Sequence, residues 1–340
     1  MKILTKILAV GLFILVVFSL VTAGVVYYFN LPVSKTDAAV HIIEIERGET
    51  LRSIAEKLEE NNLIRSSLLF MIISRANGTE QQMRSGRYAV SKTMSSAEIH
   101  RLIVSGAALL YRVTIPEGST ASQIAAILEA ANITDRDSFM EAVTNSDLPN
   151  RFNIPSHTLE GYLFPDSYLF PQNYPAERVV SHMVSTFFMR LAEIYPNYAD
   201  LSPEELNDRV ILASIVEREY RVAAEAPIMA GVFLNRLNIR MALGSCATIV
   251  YIITEILGRP HPTRITYADI AIDSDYNTYI RVGLPPAPIS NPGEIALNAV
   301  FFPADTDYLF FLLRNSATGE HFFSRTLAEH NMGRVRYLQR

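Results

Sequence analysis

The sequence predicts an α+β protein with an N-terminal transmembrane helix, a small α+β region built on an internal repeat, and then a larger mixed α+β domain. Three observations carry this reading. Ile7 to Phe29 is a run of 23 residues without a charge. A strand–Gly–Thr–helix pattern occurs twice at a constant offset of 70 residues. From about Asp135 aromatics and prolines become frequent, around one helix whose second half is apolar on every side.

The apolar run comes first. As a helix it extends roughly 34 Å, against a bilayer core of about 30 Å. Lys2 and Lys6 precede it and favour a cytoplasmic N-terminus, and Tyr27, Tyr28 and Phe29 end it where an aromatic belt is expected. Val21-Thr22-Ala23 has the small residues of a signal-peptide cleavage site. The apolar run continues past Ala23, however, and a signal h-region is only about 7–15 residues. The expectation is therefore an uncleaved single-pass anchor in the cytoplasmic (inner) membrane, with the remainder in the periplasm or outside the membrane. Residues 1–30 are the N-terminus and anchor, and 31–39 form a short polar linker.

Composition excludes several classes. The net charge is -5 and basic residues form no long runs, so a nucleic-acid partner is not expected. Cys246 is the one cysteine and cannot make an intrachain disulfide, so an exported domain must be held by its core. The seven His residues lack zinc-type spacing, and neither a metal nor a cofactor is implied.

The repeat aligns Ile45-Glu-Arg-Gly48-Glu-Thr50-Leu51 with Ile115-Pro-Glu-Gly118-Ser-Thr120-Ala121. Alternating apolar residues precede each Gly, Ile43 and Ile45 in one copy and Tyr111, Val113 and Ile115 in the other. Thr50 and Thr120 are candidate N-caps. Leu51, Ile54, Ala55 and Leu58 then share one helix face, as do Ala121, Ile124, Ala125 and Leu128. Between the copies, Ser66 to Arg75 reads as helix, Arg87 to Val90 as extended, and Ser95 to Glu98 as a capping box for a helix stopping near Gly106. This unit, placed over residues 40–134, resembles a LysM-like module, a fold that binds N-acetylglucosamine-containing polymers. A small α+β support domain that binds no sugar accounts for the pattern equally well.

In the larger domain, 135–340, Ser202-Pro203-Glu204-Glu205 is a strong helix start, with a cap, a proline at the first position and a capping-box Glu. The helix should reach about Tyr220, and its stretch from Val210 to Val216 is wholly apolar and hence buried. Glu217 follows on the face of Leu206, Val210, Ala213 and Ser214, whereas Glu219 points nearly the opposite way. Burial raises the pKa of a carboxyl, and one still protonated near neutral pH can act as a general acid. From this helix alone, a buried ion pair with Arg236 or Arg240 is the commoner explanation.

A loop-rich motif, Leu159 to Tyr168, carries Glu160, Tyr162, Asp166 and Tyr168. Asn235-Arg236-Leu237, Ser245-Cys246-Ala247-Thr248 and Tyr276-Asn277-Thr278-Tyr279 follow, then a proline-stiffened loop, Gly283 to Pro292. Next come His321-Phe-Phe-Ser324 and Leu327 to Asn331. Taken in order, LEGYLFPDSY, ILASIVERE, GVFLNRL, YNTYIRVGLPPAPISNP and HFFSRTLAEHN resemble the endolytic murein transglycosylases of the MltG (YceG-like) family. With the anchor and the repeat, the resemblance covers nearly the whole chain.

That resemblance implies a membrane-anchored lytic endotransglycosylase. Its bond is the β-1,4 link after N-acetylmuramic acid inside peptidoglycan strands, its product a 1,6-anhydro end. It implies Glu217 as the catalytic acid/base, which displaces the ion-pair reading. It also implies work beside peptidoglycan synthases, ending nascent strands. Glu160, Tyr162, Asp166, Tyr168, Asn235, Ser245, Thr248, Tyr276 and Asn277 are the expected substrate-binding residues. With no Trp in the chain, sugar stacking falls to Tyr and Phe. The chain departs from the family at Gly244-Ser245-Cys246-Ala247-Thr248, where Gln-Ser-Asp-Pro-Thr is usual. That departure leaves open a catalytically impaired peptidoglycan-binding scaffold of the same fold. A water-using muramidase with Glu160 or Asp166 as second carboxylate is the third reading.

Overall fold

In the computed structural model, which describes residues 2–34, 40–106, 109–144 and 147–338, the N-terminal apolar run is one helix, α1 (Lys2–Asn30). Its part Gly11–Asn30 is long and apolar enough to cross a membrane, and none of it is buried in protein. Phe13 and Phe18 are 68% and 70% exposed, which in water is an unfavourable apolar surface. The end of α1 is fixed. The Arg65 guanidinium lies over the Tyr28 ring and donates to the carbonyls of Leu31 and Pro32, and Asn30 Oδ1 accepts the Ala97 N–H at 3.0 Å. The expected linker is therefore partly packed. Ser34 N–H donates to Lys92 O, while residues 35–39 lie outside the described residues.

The chain divides into two compact units, 1–111 with 171–173, and 112–170 with 174–340. The first contains β1 (Val40–Ile45), α2 (Leu51–Glu60), α3 (Ser67–Ala76), β2 (Gly86–Ser91) and α4 (Ser96–Ser105). β1 and β2 are antiparallel, with Ile43 opposite Tyr88 and Ile45 opposite Gly86. The alternation of Ile43 and Ile45 puts both into one core with Ile54, Ala55, Leu58, Tyr88, Val90, Ile99 and Ile103.

The second unit opens with the same order of elements: β3 (Tyr111–Thr114), α5 (Ala121–Ala130), α6 (Arg136–Thr144), the short α7 (Asp147–Arg151) and β4 (Ser167–Phe170). β3 pairs with β4 as β1 pairs with β2. The likeness reaches single hydrogen bonds. Thr50 and Thr120 cap α2 and α5, Leu63 N–H donates to Leu58 O at 3.0 Å, and Ile133 N–H donates to Leu128 O at 2.9 Å. Each repeat is thus a strand–helix–helix–strand unit. The second copy uses the 159–168 motif to reach its last strand, and the two compact units divide at 111/112.

The rest is mostly helical: α8 (Ala176–Ile194), α9 (Pro203–Glu219), α10 (Ala226–Asn238), α11 (Cys246–Tyr251), α12 (Glu294–Phe301) and α13 (Leu327–Leu338), with an antiparallel pair, β5 (Phe310–Leu313) and β6 (His321–Ser324). α9 is the axis of this unit and packs against α10 and α12. It begins with the expected capping box between Ser202 and Glu205, and every residue from Val210 to Val216 is buried. It stops at Tyr220, whose backbone is extended. Ser202→Ala removes the cap and should lower stability by about 1 kcal/mol, read as a shift in denaturant midpoint with unchanged slope.

Candidate active site

Glu217 occupies the last turn of α9, where the buried apolar stretch gives way to partly exposed residues. One turn earlier sits the fully buried Ser214. Its Oγ donates to Ile211 O at 2.7 Å and accepts the Ile289 N–H at 3.0 Å, and Ser290 Oγ donates to Ser214 O at 3.0 Å. The proline-rich loop is thereby fastened along α9. Four residues after Ile289, the Gly293 N–H donates to Glu217 Oε2 at 2.9 Å.

A third segment meets Glu217. Gly118, from the second repeat, has φ +71°, a conformation that suits glycine, and a methyl group there would sit 3.3 Å from Glu217 Cγ. Arg218 Nη1 donates to Gly118 O at 2.9 Å, holding that turn to the end of α9. Tyr220 O–H reaches Glu217 Oε1 at 3.4 Å. Burial pushes the Glu217 carboxyl up to about 7, aided by the negative charge of Glu117 and opposed by the Gly293 N–H, Tyr220 and Arg218. Oε2 accepts the backbone N–H, so the acid proton belongs on Oε1, which, among the described residues, only the more distant Tyr220 hydroxyl approaches.

The ion pair with Arg236 or Arg240, the alternative that the helix alone suggested, does not form at Glu217. Arg236 acts on Glu219, on the opposite side of α9. Glu219 is a half-buried carboxyl raised by desolvation and bonded by Ser245 Oγ. The departing segment 244–248 therefore bears on Glu219, not Glu217. Ser245 caps α11, the buried Thr248 donates to Ser245 O at 2.8 Å, and the exposed Cys246 has its Sγ 3.0 Å from the Tyr279 hydroxyl.

Most other expected substrate-binding side chains are engaged within the fold. Glu160 is 4% exposed. Its carboxylate accepts the Ala121 N–H at 3.0 Å and Asn291 Nδ2 at 2.7 Å, and burial raises it to about 8. Tyr162 has no exposed surface, packs edge-on to Phe187 and donates to Asn207 Oδ1 at 3.0 Å. Tyr168 is 4% exposed and donates to Phe164 O. Asp166 faces Arg190 at 3.3 Å. Asn235 Nδ2 donates to the carbonyls of Thr306 and Tyr308, and the buried Asn277 donates to those of Ile270 and Ile272. Tyr276 packs on Tyr251 with ring centroids 5.1 Å apart. Tyr162, Tyr168 and Glu160 are thus held in buried contacts within the fold.

Asn291 was hidden inside the proline-rich motif. It is fully buried, and Oδ1 accepts the N–H groups of Gly161 (2.8 Å) and Leu163 (2.9 Å). Nδ2 donates to Ser119 O and Glu160 Oε1, while its backbone exchanges hydrogen bonds with Gly118 and Ser119. The only advance sign was its place between Ser290 and Pro292 in a stiff loop. Gly293, Glu117 and Tyr220 were also missed, because none carries a spacing signal.

The YceG-like family's sequence profile matches residues 43–335. An endolytic murein transglycosylase of Bacillus subtilis (strain 168) is 32% identical over 328 residues, covering 90% of this chain and 87% of that one. One from Streptococcus pneumoniae serotype 2 is 27% identical over 330 residues, and there this chain spans 59% of the relative's length. In structure, the chain is similar to the crystal structure of a putative yceG-like protein from Listeria monocytogenes. The TM-score is 0.58 at 28% identity, covering 87% of this chain and 99% of that one.

Between pH 4.5 and about 7 the unfolded chain ionises Glu217 while the folded chain keeps its proton, so stability falls as pH rises through that window. Glu217→Gln removes this loss. Unfolding free energy should be unchanged near pH 4 and higher near pH 8 by about 1–3 kcal/mol, measured by denaturant titration at both pH values.

Proposed function

The chain belongs to the YceG-like family, and we propose that it is a membrane-anchored lytic endotransglycosylase of peptidoglycan with Glu217 as its acid/base. The observation that carries this reading is the raised Glu217 carboxyl, set at the end of a buried helix with one oxygen held by the Gly293 N–H. A group that titrates at about 7 is poised both to give and to take a proton at neutral pH. Glu217 Oε1 protonates the glycosidic oxygen of the leaving N-acetylglucosamine as the bond from muramic C1 breaks. The resulting carboxylate takes the proton of the muramic C6 hydroxyl as that oxygen bonds C1. The product is a 1,6-anhydro end, and Glu217 finishes protonated, ready for another cycle. Water is not consumed, so no second carboxylate is needed to activate it. Glu160 and Asp166, the expected alternatives for that task, are bonded elsewhere.

Retention of α1 as an anchor is supported by its length, since the apolar run continues past the Val21-Thr22-Ala23 site and exceeds the roughly 7–15 residues of a signal h-region. N-terminal sequencing of protein extracted from membranes should find the segment before Ala23 still attached; a chain beginning at Gly24 would make α1 a cleaved leader. Lys2 and Lys6 orient the N-terminus to the cytoplasm and the catalytic unit to the wall. Work beside the glycan-polymerising synthases, cutting within nascent strands and so limiting their length, belongs to the same reading and rests on the family resemblance.

Mass spectrometry of glycan strands treated with the full chain in detergent decides the reaction. Anhydro-muramic ends are expected from the wild type, with turnover lowered roughly 100–10,000-fold in Glu217→Gln. Reducing ends would identify a hydrolase. No cleavage by either protein, with binding retained, would identify the scaffold.

A further inference from the structure

A carboxylate outside the proposed proton-transfer step stands beside Glu217. Glu117 lies on the turn between β3 and α5 and is exposed. Its carboxyl packs against Gly293 so closely that a methyl group on that residue would overlap it. Gly293 is also the residue whose N–H holds Glu217 Oε2 at 2.9 Å. Both carboxyls therefore touch one residue. The turn that carries Glu117 is pinned on both sides, by Gly118 N–H to Asn291 O at 2.9 Å and by Arg218 Nη1 to Gly118 O at 2.9 Å.

The internal repeat supplies a control. The same turn in the first copy has Gly48 at φ +82° where the second has Gly118 at +71°, and there the preceding residue is Arg47. The fold of the turn does not need a carboxylate, and accepts a cation, where no Glu217 is nearby in sequence register. Glu117 is a feature of the copy that faces the acid.

We propose that Glu117 is a positioning residue of the lytic site, acting through Glu217: its carboxylate, held against Gly293, keeps the acid proton on Glu217 until the glycosidic oxygen is presented. The other groups that face Glu217 are Tyr220 and Arg218 from the end of α9 and the Gly293 N–H ahead of α12. All three stabilise the ionised form, and Glu117 is the charged group that opposes them. Without it the ionised form of Glu217 becomes easier to reach, and less of the enzyme holds the acid proton at neutral pH.

This inference rests on the lytic reading for its consequence in turnover but not for its titration. The test is carboxyl-carbon NMR of the full chain in detergent, labelled at glutamate, with the Glu217 signal identified by its loss in Glu217→Gln. In Glu117→Gln the Glu217 midpoint should fall by about 0.5–1 pH unit. In Glu117→Arg, the residue of the first copy, it should fall further. The alkaline limb of kcat/KM should move down by the same amount with KM little changed, while Glu117→Asp restores most of the wild-type profile. Melting temperature confirms that each variant is folded, and the Arg variant guards against failure of the Gln one. An unmoved midpoint in folded variants overturns the proposal, even if turnover drops. A moved midpoint in a protein that cuts no glycan would uphold the coupling and defeat the lytic reading instead.

Discussion

The buried amide of Asn291 is the constraint on which the site depends. One side chain satisfies two backbone donors from the 159–163 segment, one carbonyl of the second repeat and one oxygen of Glu160. A buried polar group left without partners costs about 1–3 kcal/mol, so these segments must meet at Asn291 or each lose its bonds. With Asn291 fixed, Gly293 two residues later is fixed too, and with it the N–H that orients Glu217. Glu160 completes the arrangement from below. It receives the Ala121 N–H, one of the donors a helix start leaves unpaired, and so locks α5 to the same point.

α9 supplies the complementary constraint. Its apolar half has neighbours on all sides, so any polar residue at its end emerges at a boundary between core and solvent. Two carboxyls do so. Glu219 emerges toward Ser245, which bonds it, and feels the charge of Arg236; Glu217 emerges toward a backbone N–H, a phenol and the turn bearing Glu117. Opposite faces of one helix therefore give its two terminal carboxyls different surroundings. The altered segment 244–248 lies on the Glu219 side.

The two repeats share cap, turn, helix face and strand pairing, yet belong to different compact units. The first closes its own core around Ile54, Leu58, Tyr88 and Ile103. The second brings its Gly118 turn against Glu217 and lets the 159–168 motif provide its closing strand. In that motif Gly161 has φ +91°, and any side chain there would run into Pro288. The motif is loop-rich because it must thread between a strand and the proline loop, and its tyrosines point inward as packing.

Local pattern made much of this protein legible from sequence alone. The uncharged run determined α1, the Ser202-to-Glu205 box and the apolar stretch determined α9, and a constant offset determined the repeat. Glu217 could be singled out because its helix placed it on a definite face at a definite depth. Tertiary structure alone decided which polar residues of the loops turn inward. Glu160, Tyr162, Tyr168 and Asn277 sit in segments without a helical or strand period, and period is what reports a side chain's direction from sequence. It also decided what surrounds Glu217, since Glu117, Gly118 and Gly293 reach it across gaps of 76 to 100 residues. Contacts at that separation are specified by the packing of the whole core, and no local pattern encodes them.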